Sequence, residues 1–344
     1  MALFFCKKAF HNIFNGVIKA NFLERRDIVV LASTKRIRSH RPKTSEWITI
    51  KRFLPLYILF IPVALYYLIF AYVPMSGVII AFKDYSLRLG IWESPWIGLK
   101  HFERLFGSRT FWTVLGNTFR LAFLRILIGF PVPILLALLM NEMKCMWYKK
   151  TVQTLVYLPH FLSWVIVYGF LFSFFSSNGI VNQVIKILGG TAIPFLSSTK
   201  AYTPLFIGSA LWKESGWGTI IYLSAMSNVD QQLIESAEID GANRFKRIWH
   251  IVLPGIRNVI SIQLILSFGG ILSVSFEQTL TMMNTAVRPV AEVIDYYIYR
   301  MGLLTANNYS FSTAASLFRN VISLFLVLVA NRLVKIVEEE NALW

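Results

Sequence analysis

Residues 53–82 read FLPLYILFIPVALYYLIFAYVPMSGVIIAF, a stretch without a single charged side chain. A helix needs about 20 consecutive apolar residues to cross ~30 Å of hydrocarbon, so this run predicts a membrane span. The chain as a whole is 56% hydrophobic, and its mean hydropathy is +0.56. This apolar excess collects in long runs, whereas a soluble core would show amphipathic helices or alternating strands. We therefore predict an all-α membrane protein.

Five further runs of similar character follow along the chain. We predict six spans in total, at residues 53–82, 114–140, 151–175, 204–226, 258–276 and 313–335. Prolines fall within the first three of them, and membrane helices tolerate such kinks when neighbouring helices satisfy the freed carbonyls. The prolines that predict kinks are Pro55, Pro62, Pro74, Pro131, Pro133 and Pro159.

The first 52 residues form a basic tail, with twelve Lys or Arg residues against three acids. Lys and Arg favour the cytoplasmic side of a membrane, so the tail predicts a cytoplasmic N-terminus, and six spans return the C-terminus to that side. We expect a tail at 1–52, a permease domain at 53–336 and a short cytoplasmic tail at 337–344. The N-terminal tail is either simply solvated or adheres to anionic lipid as an interfacial helix.

Several functional classes lack their sequence signals. The net charge of +16 fits an anionic membrane surface better than nucleic acid in a chain this apolar. Cys6 and Cys145 belong to no CxxC pattern, and no HExxH or GxSxG occurs, so we predict no metal site and no catalytic residues. No Gly is followed by Lys, which excludes a phosphate-binding GK[ST] loop.

The longest inner connection, residues 227–257, looks ordered. Asn228 is a candidate N-cap, residues 229–240 are compatible with a helix, and Gly241 stands where a left-handed C-cap is wanted. A second helical stretch, at 242–250, is expected to end before Pro254. The pattern predicts a helix–turn–helix that could seat in a groove of a soluble partner. We call this segment the 227–257 loop.

The string ESAEIDGA at 235–242, followed by IVLP at 251–254, resembles the EAA loop of ABC importer permeases. Only the middle Ala of the family pattern differs, since Ser236 takes its place. Other stretches resemble the permeases of the carbohydrate-uptake type, in the right order along the chain. They are residues 74–85, 94–99, 212–218, 276–278 and 294–300.

This resemblance implies a type I importer permease fold in the bacterial cytoplasmic membrane, with partners that supply energy and substrate. The partners are a second, often different, permease subunit, a pair of ATPase subunits that bind ATP and Mg, and an extracytoplasmic solute-binding protein. The chain itself would hold no cofactor and catalyse no reaction. The residues implied to couple it to the ATPase are Glu235, Ser236, Ala237, Asp240, Gly241, Ala242, Ile251, Leu253 and Pro254.

Polar side chains inside the predicted spans suggest a route for substrate, because charges in hydrocarbon usually face a bundle interior or a wet cavity. In the sixth span Ser312, Ser316, Arg319, Asn320 and Ser323 share one helical face. The main candidates for the path are Arg120, Arg125, Trp164, Trp212, Trp217, Glu277, Ser316, Arg319, Asn320 and Ser323. Further polar groups of the spans are Asn117, Lys213, Glu214, Ser267, Ser273 and Ser275. The alternative is that these groups only bond helices to one another, for example through an Arg120–Glu277 ion pair.

The intramembrane cations outnumber the acids, which favours an anionic sugar such as a uronic acid oligomer from alginate or pectin. A neutral oligosaccharide remains the alternative. Two other transporters also remain open: an ABC permease for amino acids or peptides, and an ion-coupled secondary transporter. The latter would be expected to show internal repeats, and we find none.

Overall fold

The computed structural model describes residues 46–270, 272, 276–304 and 308–337. Within these residues, all regular secondary structure longer than a single bridge is helical. The one β-type pairing among these residues is an isolated bridge between Lys83 and Trp96. The α-helices are α1 Glu46–Tyr67, α2 Val73–Met75, α3 Gly90–Glu93, α4 Lys100–Phe106, α5 Arg109–Gly129, α6 Pro131–Asn141, α7 Met146–Tyr157, α8 Trp164–Phe175, α9 Ile180–Ile187, α10 Thr199–Met226, α11 Gln231–Ile239, α12 Arg244–Arg247, α13 Leu253–Gly255, α14 Arg257–Gly269, α15 Phe276–Met282, α16 Arg288–Ala291, α17 Ile294–Tyr299 and α18 Tyr309–Val337. Tighter or wider helical turns occupy Leu68–Tyr72, Ser76–Phe82, Leu158–Phe161, Ile248–Val252 and Arg300–Leu304.

The chain divides into two compact units, residues 1–67 and 68–344. The described part of the first unit is helix α1, which begins at Glu46, before the predicted start of the span at residue 53. Pro55 and Pro62 lie within this continuous helix. The basic tail up to residue 45 and the C-terminal segment from residue 338 lie outside the described residues, so the predictions made for them stay predictions.

Four helical stretches of the described residues are long and apolar enough to cross a membrane: Phe53–Phe82, Arg109–Asn141, Trp164–Ile187 and Tyr309–Lys335. The first, second and last of these contain or match the predicted runs at 53–82, 114–140 and 313–335. A fifth crossing is counted if the pair Arg244–Gly255 and Arg257–Gly269, bent by 64°, forms one broken span. The helices thus give four or five candidate spans, where the sequence predicted six.

The third predicted span, at 151–175, is wrong as a single helix. Helix α7 ends at Tyr157, and a 3-10 turn at Leu158–Phe161 carries Pro159, which has no N–H to continue the α-helical pattern. Helix α8 starts afresh because the hydroxyl of Ser163 accepts a hydrogen bond from the N–H of Ile166 at 3.4 Å.

The fourth and fifth predicted spans are helical, but they differ from the prediction. Helix α10 covers the run at 204–226, yet it does not belong to the four apolar stretches, and the charges Lys213 and Glu214 lower its hydropathy. Helix α14 ends at Gly269, before the predicted end at residue 276. An apolar composition therefore marked the helices correctly but overestimated the length of the fifth.

Helix α10 runs through the centre of the second unit. Its residues Phe206 and Ile207 are buried against Leu121 and Ala122 of α5. A second core surrounds Phe111 of α5, where α4, α17 and α18 meet. Because α5 takes part in both cores, it is fixed along its length and can position polar side chains on its free face.

Helices α7 and α10 approach each other closely at Gly216. A Cβ atom at this position would lie 2.0 Å from the carbonyl oxygen of Val156. Only glycine fits so close to another backbone, as is common between membrane helices. Gly208, on the same helix, faces open space, with nothing within 4 Å of such an atom.

Candidate functional site

The first helix of the 227–257 loop, α11, is capped at its N-terminus by Asp230. The carboxylate of Asp230 accepts a hydrogen bond from the N–H of Gln232 at 2.9 Å. The predicted cap, Asn228, is wrong, because its side-chain amide donates to the carbonyl of Ser224 at 3.1 Å and so belongs to the end of α10. The helix therefore begins two residues later than that cap required.

Gly241 ends α11 in a left-handed turn with φ of +78°. The N–H of Ala242 donates to the carbonyl of Ala237 at 2.9 Å, and the N–H of Gly241 donates to that of Glu238 at 3.1 Å. These two bonds define a Schellman motif, which satisfies the last carbonyls of a helix. The left-handed C-cap predicted at Gly241 is confirmed.

The second half of the loop differs from the prediction of one helix ending before Pro254. Asn243 caps α12 by accepting a hydrogen bond from the N–H of Lys246 at 2.9 Å. A wide π-turn at Ile248–Val252 follows, and Pro254 lies inside the short helix α13 rather than after its end. Proline is tolerated near a helix start because its missing N–H would have no partner there.

The loop is anchored to the body of the second unit by a buried apolar cluster. Val252 and Ile256 pack with Ala137 and Leu138 of α6 and with Tyr222 of α10. An anchored loop can transmit a rigid-body movement, whereas a slack one would absorb it.

Two ion pairs brace the loop from outside. Arg247 pairs with Glu238, which joins α12 to α11. Arg244 lies 3.9 Å from Glu142 at the end of α6. Both pairs are partly exposed and contribute modestly to stability. The first joins the two halves of the loop, and the second joins the loop to the end of α6.

The predicted coupling residues lie along this loop and differ in their exposure. Glu235, Ser236 and Asp240 are exposed, and Gly241 is at the turn. Ala237, Ala242, Ile251 and Leu253 are half-buried, and Pro254 is exposed. The structure places these residues on one continuous segment, but it does not test their role.

Large apolar side chains are exposed beside them. Ile239 is 87% exposed, and Phe245 and Trp249 are stacked with ring centroids 6.2 Å apart while both remain exposed. We call Leu233, Ile239, Phe245 and Trp249 the exposed apolar cluster. Exposed apolar patches mark interaction sites, and the stacked Phe245 and Trp249 begin such a patch.

A cleft of 380 Å³ lies between α5, α6, α10 and α14, in the interior of the second unit. Small-molecule sites typically measure about 300–1,000 Å³. Arg125 of α5 and Glu214 of α10 form an ion pair in its wall. Its other polar side chains are Ser215, Tyr222, Gln263 and Ser267. Of the ten main path residues, Arg125 lines this cleft, and it is joined there by Glu214 and Ser267 from the further polar groups.

The three tryptophans of the candidate path are placed elsewhere. Trp164 is buried, and the Nζ atom of Lys213 lies 5.7 Å from the centroid of its ring. Trp217 stacks on His160 with ring centroids 4.5 Å apart. Trp212 meets Phe170 edge-on and lines a separate apolar pocket of 480 Å³.

The remaining path residues are engaged with other helices. Arg120 donates to the carbonyl of Val290 at 2.9 Å, so the Arg120–Glu277 pair offered as an alternative does not form. On α18, Arg319 forms an ion pair of 2.8 Å with Asp295 of α17. Burial raises the pKa of the Asp295 carboxyl, and the Arg319 guanidinium works against this shift.

The other polar residues of α18 and α15 do not gather in the cleft. Ser316 and Ser323 are half-buried, and Asn320 is exposed and receives a long hydrogen bond of 3.3 Å from Arg319. Glu277 stands in the first turn of α15, where its backbone carbonyl accepts a hydrogen bond from Thr281. Nine of the ten main path residues therefore lie outside the lining of the cleft.

Three polar cleft residues, Ser215, Tyr222 and Gln263, were absent from the sequence prediction. Gln263 was detectable in principle, because it is a lone amide in the apolar run of α14. The partner of Arg125 was not, since Glu214 lies 89 residues further along the chain.

Comparison with known proteins adds to this geometry. Residues 129–340 match the family of the binding-protein-dependent transport system inner membrane component. The chain belongs to this family. It is accordingly an inner-membrane permease, as the resemblance of its EAA-like loop implied.

Several relatives resemble this permease over most of their length. Protein LplB of Bacillus subtilis (strain 168) is 44% identical over 320 residues, which cover 92% of this chain and 98% of LplB. The polygalacturonan/rhamnogalacturonan transport system permease protein YteP of the same organism is 48% identical over 287 residues, covering 83% of this chain and 89% of YteP.

A solved structure shares both fold and sequence with the permease. It is a chain of a bacterial ABC transporter involved in the import of the acidic polysaccharide alginate, with a TM-score of 0.79 and 41% identity. The similarity covers 85% of this permease and 99% of that chain. A second structure of a bacterial alginate ABC transporter, in complex with an alginate pentasaccharide-bound periplasmic protein, matches with a TM-score of 0.78.

Proposed function

We propose that this permease forms half of the transmembrane pore of an ATP-driven importer of acidic oligosaccharides. The proposal rests on the agreement between the substrates for which similar proteins are named and the polar groups that line the cleft of this chain. YteP is named for polygalacturonan and the solved transporter for alginate, both polymers of uronic acids. The cleft of this chain places a guanidinium, an amide and hydroxyls among apolar walls, and these groups suit sugars that carry carboxylates.

The proposal includes six crossings with both termini in the cytoplasm. Helix α10 has 28 residues, and at 1.5 Å per residue it measures about 42 Å, enough to cross the bilayer despite its charges. Counting α10 and α14, the second half of the bent pair, with the four apolar stretches gives six crossings, and the first half of the pair stays in the cytoplasmic 227–257 loop. The basic N-terminal tail favours the cytoplasmic side, and an even number of crossings returns the C-terminus there.

The partners follow from the exposed surfaces. The exposed apolar cluster of the 227–257 loop would dock into one subunit of an ATPase pair, which binds ATP and Mg and performs hydrolysis. A second permease subunit would close the pore around the cleft. A solute-binding protein on the outer face would deliver the sugar, as a periplasmic protein accompanies the related alginate transporter.

The mechanism is alternating access. Closure of the ATPase pair moves α11, and the buried cluster formed by Val252 and Ile256 passes this movement to α6 and α10. Since both helices line the cleft, their rocking exposes it outward to the loaded binding protein. Hydrolysis then returns the cleft to the inward-facing state.

The proposal is tested by reconstitution of the purified permease, its co-purifying subunits and the binding protein in proteoliposomes. We expect uptake of oligogalacturonate only when ATP is enclosed, unaffected by a protonophore. Uptake that ignores ATP and collapses with the proton gradient would indicate an ion-coupled transporter. Uptake of amino acids or peptides but not sugar would refute the substrate class.

A further inference from the structure

The ion pair between Arg125 and Glu214 occupies an unusual depth. Arg125 is the midpoint of the 33-residue stretch Arg109–Asn141 that could cross the membrane. An ionised side chain at that level is unfavourable, so ionisable residues there usually serve a function. The pairing makes the resting cleft electrically neutral.

Helix packing alone does not require this pair. Helices α5 and α10 are already joined by the buried contacts of Leu121 and Ala122 with Phe206 and Ile207. The pair instead faces the cleft, where the Arg125 side chain is 24% exposed and that of Glu214 is 40% exposed. Both charges are therefore accessible to a molecule that enters.

The guanidinium has donors to spare. The Nη2 atom of Arg125 donates a hydrogen bond to the carboxylate of Glu214. A guanidinium carries five N–H donors in a planar fork that matches a carboxylate, so other donors of Arg125 remain for a second carboxylate. Gln263 and Ser267 on the facing helix α14 offer an amide and a hydroxyl for sugar hydroxyls. The cleft thus combines one strong carboxylate binder with neutral partners and an internal competitor.

We propose that Arg125 recognises a carboxylate of the transported sugar and that Glu214 is its resting counter-ion, which competes with the substrate. This inference rests on the proposed function and adds the residues that set charge selectivity. The competition has a use, because a site on a transport path must bind strongly enough to admit its substrate and weakly enough to release it. Glu214, the more exposed partner, gives way while Arg125 stays in place.

The test compares oligogalacturonate with the same oligomer in which the carboxyls are methyl-esterified, which removes the charge and adds one methyl group to each carboxyl. Binding to the purified transporter without its binding protein is measured by equilibrium dialysis. We expect Arg125→Gln to weaken the acid by about tenfold or more and to leave the ester unchanged. Glu214→Gln should tighten the acid, and it should slow ATP-driven uptake because release is delayed.

Two further variants separate recognition from structure. The double variant Arg125→Gln/Glu214→Gln replaces the ion pair with two neutral amides, and it should keep the fold and ester binding while losing the preference for acid. Arg109→Gln removes an exposed cation from the start of the same helix and should bind both ligands like the wild type. Thermal melting and recovery of the ATPase subunits monitor folding in each case.

The outcomes distinguish this inference from the proposed function. Equal changes for acid and ester in the double variant, or no change in either, would overturn the role of Arg125. If the wild type imports no oligogalacturonate in the presence of ATP and its binding protein, the proposed function fails instead.

Discussion

The turn at Gly241 offers a graded test of how the 227–257 loop works. Its φ of +78° lies in the left-handed region, and a Cβ added there would meet nothing within 4 Å. Substitutions therefore act through backbone conformation rather than through a clash. Asn tolerates this region, Ala resists it, and Pro cannot adopt it because its ring fixes φ near −65°.

The expected costs follow from the geometry of the turn. Gly241→Ala should disfavour the turn by about 1–2 kcal/mol, and Gly241→Asn by less. Gly241→Pro also removes the N–H that donates to the carbonyl of Glu238, and by abolishing the left-handed turn it takes the N–H of Ala242 away from the carbonyl of Ala237. Each bond is worth about 1 kcal/mol, for a total of about 3–4 kcal/mol. At 1.4 kcal/mol per factor of ten, binding to the ATPase should weaken by up to about 30-fold for Ala and by at least a hundredfold for Pro.

The assay is recovery of the ATPase subunits with the detergent-purified permease, followed by ATP-driven uptake in proteoliposomes. We expect the order Gly, Asn, Ala, Pro in both measurements, with each variant inserted in the membrane at the wild-type level. If the Pro variant retained its ATPase and its uptake, the turn would have no part in coupling and the reasoning would be refuted.

Three other substitutions test local features. Asp230→Ala removes the N-cap bond of α11, and the loss of about 1 kcal/mol should weaken ATPase recovery severalfold. Asp230→Asn keeps a cap and should leave ATPase recovery unchanged. Equal losses in the two variants would contradict the capping role. Gly216→Ala should lower the melting temperature in detergent markedly, because its Cβ would overlap the backbone of α7. Gly208→Ala should melt like the wild type, because its Cβ meets open space. Similar melting temperatures of the two variants would refute the close approach of α7 and α10. Arg319→Gln should destabilise the permease by about 1–2 kcal/mol in chemical unfolding, since it removes the counter-ion of Asp295. The double variant Asp295→Asn/Arg319→Gln should recover most of this loss. If it recovers nothing, the ion pair is not the cause of the destabilisation.

The sequence predicted the structure best at positions where the residue pattern is compatible with only one local conformation. The charge-free run at 53–82 and the apolar run at 114–140 predicted membrane helices correctly, because hydrocarbon accepts few other structures. Gly241 predicted its own turn, since few other residues adopt a positive φ.

Local signals that compete with one another were harder to interpret. Asn228 and Asp230 are both good caps, and the choice depended on where α10 ends, which is a matter of packing. Pro254 indicated a helix end, but the preceding π-turn lets the helix continue past it. In the third run, a kink was foreseen at Pro159, but the new start of the helix at Trp164 was not.

The candidate path was the least predictable part. Hydropathy identifies polar residues in a span but does not say whether a neighbouring helix satisfies them. Trp217 proved to stack on His160, and Arg120 binds a backbone carbonyl of a distant turn. Arg125 and Glu214 meet only because α5 and α10 pack side by side, a relation that one sequence does not reveal.

The central claim is that the 227–257 loop engages an ATP-hydrolysing partner, and site-specific cross-linking tests it most directly. Cysteine would be placed at Ile239, which is 87% exposed, in a variant in which Cys6 and Cys145 are replaced by serine. A matched cysteine at Leu188, 80% exposed beyond α9, serves as control. We predict that position 239 captures a nucleotide-hydrolysing chain from native membranes and that position 188 does not. Capture of no such chain at position 239, or equal capture at both positions, would contradict the account.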